Sequence, residues 1–141
     1  MTDAALVDKK LAQIETYVAE LRRLARPDDL GHDVREERFI EHTLQLAIQA
    51  ALDVASHIVS DERLGEPRTN RDLFDLLERR GHISPELSAP LRNMAGFRNV
   101  LVHGYDTVDL AIVRDVVENR LDDLLAFAAA IRAVIDRAGP A

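Results

Sequence analysis

Ile40-Glu41-His42-Thr43-Leu44-Gln45-Leu46-Ala47-Ile48-Gln49-Ala50-Ala51-Leu52-Asp53-Val54-Ala55-Ser56-His57-Ile58 reads as helix from end to end. Ile40, Leu44, Ala47, Ala51, Ala55 and Ile58 recur at steps of three and four. At about 100° per residue these steps place them on one face. Arg35, Arg38, His42, Gln49, Asp53, Ser56 and His57 fall on the other face. One long amphipathic helix from about Val34 to Glu62 is expected. Its polar stripe faces either water or a cleft opposite another helix.

The flanking segments follow the same period. Val7, Leu11, Ile14, Val18, Leu21 and Leu24 predict a first helix from about Ala4 to Arg26, stopped by the turn residues of Pro27-Asp28-Asp29-Leu30-Gly31. Asn70 or Thr69 can cap a short third helix carrying Leu73, Leu76 and Leu77, which ends at Gly81 after Arg79 and Arg80. Ser84-Pro85 and Ser88-Ala89-Pro90 both resemble helix starts, so a fourth helix begins between them and runs to about Val102. Asp106 or Thr107 caps a last helix with Leu110, Val113, Val117, Leu121, Leu124, Ala128, Ile131 and Ile135 along one stripe, ended by Gly139-Pro140. The expected architecture is an all-α bundle of four main helices and one short one, a single domain over residues 1–141.

Composition sets limits on function. With 47% hydrophobic and 30% charged residues over 141 positions, the chain is an ordinary globular length and mixture. It has no Cys, so neither disulfides nor thiolate metal sites arise. No leader pattern opens the chain and no apolar run approaches the ~20 residues of a membrane helix, so a cytoplasmic protein without membrane contact is expected. A net charge of −7 argues against a general nucleic-acid coat protein, yet leaves room for a small local basic site.

The chemistry is concentrated in Arg98-Asn99-Val100-Leu101-Val102-His103-Gly104-Tyr105. Arg98 falls on the same face as Leu87, Leu91, Ala95 and Val102, where a guanidinium needs a carboxylate, a pocket or a subunit interface. Asp53 is the first candidate carboxylate and Glu41 the second. His103 lies about 140° round from Arg98 on a continuing helix, so the two converge only if the helix ends near Gly104 or if two copies of the motif meet. An imidazole that moves a proton and a guanidinium that grips a phosphate suit metal-independent phosphodiester cleavage, in which RNA supplies its own 2′-hydroxyl nucleophile. No cofactor is called for. A metal site is not expected either: His42 and Asp53 lie ~16 Å apart along one helix, and Asp53 with His57 makes only two ligands.

These eight residues match the Arg-x4-His-x-Tyr signature of HepT-type toxins of the HEPN superfamily. Residues 41–57 are similar to that family's second helix, and Leu91-Arg92-Asn93-Met94-Ala95-Gly96-Phe97 to the run leading into its motif. The resemblance spans roughly residues 35–127. It implies a HEPN-type helical fold, a homodimer with clefts near the subunit interface, and a metal-independent endoribonuclease that acts as the toxin of a toxin–antitoxin pair. It implies Arg98 and His103 as the catalytic pair, with Asn99 helping to set the site; Asp53, His57, Arg38 and Glu41 are possible supporting residues. It further implies a minimal nucleotidyltransferase antitoxin that attaches AMP to Tyr105. Two other readings use the same residues: a non-catalytic HEPN module that binds a nucleotide or a nucleotidyltransferase, and a purely structural helical dimer.

Overall fold

The computed structural model describes residues 2–104 and 108–138. Helix α1 spans Ala4–Leu24, α2 Val34–Asp61, α3 Asn70–Arg80 and α4 Pro85–His103. Helix α5, Leu110–Asp115, continues through a π-helical turn, Val116–Arg120, into α6, Leu121–Ala138. The all-α bundle expected from the period is the fold found. None of the described helices is long and apolar enough to cross a membrane.

Side-chain chemistry sets each helix end. Asp3 accepts from the Leu6 N–H at 3.1 Å and starts α1. Asp33 accepts from the Arg35 N–H at 2.9 Å and starts α2. Thr69 caps α3, and the Asp72 carboxylate returns to the Arg68 and Thr69 N–H groups at 2.9 and 3.3 Å. Gly81 closes α3 at φ +84°, a left-handed position that glycine takes without a Cβ penalty. Of the two possible starts for α4, Ser84 is the cap, accepting from the Leu87 N–H at 3.1 Å, and Pro90 sits inside the helix.

Three sequence expectations change. Helix α1 stops at Leu24, which is 49% exposed and lies outside the buried stripe. The cap of the last helical stretch is Asp109, which accepts from the Ala111 N–H at 2.9 Å, because a cap must stand two or three residues before the donors it serves. Asp106 and Thr107, expected in that role, lie outside the described residues, as do Tyr105 and Gly139-Pro140. The last helix is also not uniformly α. Val113, Val117 and Leu121 follow each other at two successive four-residue steps, which in an α-helix drift about 40° each. The π turn, with its wider i→i+5 closure, takes up that drift, and all three side chains reach the core.

The core joins every helix. Leu11 and Ile14 of α1, Leu44 and Ile58 of α2, Leu77 of α3, Leu91 of α4 and Leu124 of α6 are fully buried. Phe74 of α3 meets Phe127 of α6 edge to face, with ring centroids 5.7 Å apart. Arg92 of α4 ties α3 alongside: its Nη1 reaches Asp75 at 2.9 Å and Glu78 at 3.1 Å. His82 bonds Glu62 at 2.9 Å and pins the α3–α4 turn to the end of α2.

Candidate active site at the end of α4

Helix α4 carries Arg98, Asn99 and His103 on its last two turns. It ends at His103, within a residue of the end expected near Val102. Gly104 is the cap residue, donating its N–H to the Val100 carbonyl at 2.8 Å with φ −110°, outside the left-handed region. His103 is therefore not released to fold back by an early helix end.

Asn99 stands between the two expected partners in angle round the helix. It lies about 100° round from Arg98 and about 40° from His103, one turn before it. The Arg98 Nη1 donates to the Asn99 Oδ1 at 3.3 Å, so the guanidinium leans toward the face that Asn99 shares with His103. Asn99 and His103 are exposed, and Val100 between them is 39% exposed. That face is open along its length. The Arg98 Nε is buried with no hydrogen-bond partner among the described residues, and no carboxylate there pairs with Arg98. A buried donor left unmet costs about 1–3 kcal/mol.

Asp53 is not the partner of Arg98. Its carboxylate accepts from Lys10 Nζ at 3.3 Å and Gln49 Nε2 at 2.8 Å. His57 accepts the Asp3 N–H at 3.2 Å through Nε2. These residues line a groove with Leu6 and Lys10 and hold the α1–α2 seam. Arg38 is exposed on the first half of α2 without an ion pair among the described residues. Glu41 is half-buried, and burial first, then the Glu37 charge, pushes its carboxyl above the ordinary carboxylate range. It makes no ion pair with Arg98. Tyr105 lies outside the described residues. No three potential metal-ligating side chains gather among the described residues.

One feature of this face carries no spacing signal. Gly96 stands in line with Asn99, Val100 and His103 along α4, and the Arg71 guanidinium from α3 lies across it. Its sequence mark is a glycine inside an otherwise regular helix.

The bundle is of the HEPN type, a helical scaffold whose motif sits at the end of one helix. The family model of ribonuclease HepT-like proteins matches residues 11–131, and the chain belongs to that family. It is 40% identical over 129 residues to the mRNA nuclease HepT of Shewanella oneidensis, covering 91% of this chain and 97% of that protein. Over 109 residues it is 31% identical to the tRNA nuclease HepT of Aphanizomenon flos-aquae, covering 76% and 74%. Among solved structures, the tri-AMPylated Shewanella oneidensis HEPN toxin in complex with MNT antitoxin superposes with a TM-score of 0.84 at 31% identity, covering 94% of this chain and 99% of that one. A cytosolic protein, YutE of Bacillus subtilis, shares the fold at a TM-score of 0.89 and 18% identity, covering 99% and 96%.

Proposed function

We propose that the protein is the toxin of a toxin–antitoxin pair, a metal-independent endoribonuclease that uses Arg98 and His103 and is neutralised by a nucleotidyltransferase that adds AMP to Tyr105. The observation that carries the catalytic reading is the Arg98 guanidinium, free of any carboxylate among the described residues and held by Asn99 toward the His103 face. Its relatives named as HepT nucleases support the activity.

The 2′-hydroxyl of RNA attacks the adjacent phosphorus, its proton passing to a base. The O2′–P bond forms and the P–O5′ bond breaks. The 5′-oxygen leaves with a proton, giving a 2′,3′-cyclic phosphate and a 5′-hydroxyl. An imidazole at position 103 takes up or delivers one of these protons. The Arg98 fork binds the non-bridging oxygens as their charge grows. Because α4 stays helical through His103, a homodimer in which two motifs face each other gives each cleft its full set of groups.

Purified protein should cleave RNA in EDTA, whereas His103→Ala and Arg98→Ala should each lose at least 100-fold in rate, roughly the scale of a general acid–base contribution. Cleavage by His103→Ala at the wild-type rate would remove the histidine from the mechanism. If the folded wild type binds a nucleotide but leaves RNA intact, the binding-module reading takes its place.

AMP on Tyr105 would set bulk and a phosphodiester charge two residues from His103, repelling an incoming RNA phosphate. The Tyr105→Phe protein should thus stay toxic when the nucleotidyltransferase is co-expressed. Full neutralisation with no AMP detected by mass spectrometry would sink the modification account.

A further inference from the structure

The acidic chain must still hold a polyanion, and Arg98 is one cation. We infer that Arg71 of α3 is a second phosphate-binding residue, gripping an RNA phosphate next to the scissile one; this rests on the ribonuclease reading above. Arg71 is exposed, and the Nε–Nη2 edge of its guanidinium comes up against α4 at Gly96. A Cβ added at Gly96 would stand 3.0 Å from both its Cζ and its Nε, and closer still to Nη2. Any other residue at 96 would therefore displace the group. A helix-interior glycine costs roughly 0.5–1 kcal/mol relative to Ala, and here it opens the bed in which Arg71 rests.

The helix register aims this cation along the site. Gly96, Asn99, Val100 and His103 follow one another at three, four and seven residues from Gly96, so they share a face. Gly96 precedes His103 by ~10 Å along the axis, within reach of a neighbouring phosphate. Helices α3 and α4 run antiparallel, since Arg92 meets Asp75 and Glu78 while Gly96 meets Arg71. Arg71 is the second residue of α3, so α3 itself does not extend along α4 beyond it toward His103.

The nearby carboxylates are already engaged. Asp75 and Glu78 serve Arg92, and Asp72 receives the Arg68 and Thr69 N–H groups. Among the described residues Arg71 has neither an ion pair nor a hydrogen bond. Arg71 at Gly96 and Arg98 beside Asn99 thus border the exposed polar face of α4, each with donors to offer a single-stranded phosphate backbone.

The test measures binding of a fluorescein-labelled single-stranded RNA oligonucleotide to the full-length His103→Ala protein across a salt series. Adding Arg71→Ala should weaken binding severalfold at low salt and flatten the plot of log affinity against log salt by about 0.7, the signature of one lost phosphate contact. Arg79→Ala, the same charge change at the far end of α3, should leave the slope unchanged. Arg71→Lys should restore most of it. In cleavage assays Arg71→Ala on the otherwise native chain should raise KM and keep kcat. If wild type cleaves RNA and the Arg71→Ala slope and KM match those of Arg79→Ala, the phosphate subsite is wrong and the ribonuclease reading stands. If the wild type does not cleave RNA and the parent does not bind it, both fall together.

Discussion

Arg63 holds a left-handed backbone, φ +54°, where the chain leaves α2, and the Leu64 N–H reaches back to the Val59 carbonyl at 3.0 Å. A side chain in that region is strained by its Cβ, while glycine is not. Arg63→Gly should therefore raise stability by about 0.5 kcal/mol, the relief exceeding the added freedom of the unfolded chain. A shift of the urea midpoint to higher concentration at unchanged m-value would show it; a lower midpoint would mean that the Arg63 side chain holds the turn. At the same scale, the motif residues of α4 were legible because they are neighbours in sequence. Asp53, the first candidate partner of Arg98, was only half legible: Gln49 stands one turn before it on the same face, but Lys10 comes from α1. Lys10 and Gln49 reach it in place of Arg98. Arg71 was invisible for the same reason, since its place against Gly96 depends on how α3 lies along α4.

The elements themselves could be read almost to their ends. Period and capping chemistry are local, so Asp3, Asp33, Thr69, Gly81 and Ser84 act where the sequence permits them to act. A boundary stayed open where two signals of the same kind stood close together. Ser88-Ala89-Pro90 imitates a helix start, but Ser88 is fully buried and receives Arg92 Nη1 at 2.7 Å, so its hydroxyl is spent on packing α3 against α4. The π turn was missed because an apolar stripe counted by position hides the drift between successive four-residue steps.

Across the whole molecule, Arg132 of α6 clasps α1. Its Nη2 reaches Glu15 at 2.9 Å and its Nε reaches Asp8 at 3.3 Å, so the last helix is tied to the first. The Arg132 hydrogen bond holds the Glu15 carboxyl below its ordinary range, against some desolvation. A carboxyl lowered on folding contributes stability that is fully present above its unfolded value near 4.5 and lost as pH falls through the lowered folded value. Glu15→Gln should thus cost under about 1 kcal/mol at pH 7, since the pair is partly exposed, and the difference from wild type should close on acidification below 4.5. Thermal melts of both proteins across that range would check it, and a gap that persists at the acid end would assign the loss to packing instead.

The π turn bears on chain length. A π turn holds one residue more than the α-helical turn it replaces. Removing one residue between Val116 and Arg120 would change the four-residue step from Val117 to Leu121 into a three-residue step. Ordinary α-helix would then carry the same side chains to the core. A HepT-like chain shorter by one residue at this point would seat α6 in the same register, with Phe127 still on Phe74 and Arg132 still on Glu15. Loss of a single residue here should be structurally silent, whereas the same change inside α2 would turn half of that helix's apolar face toward water.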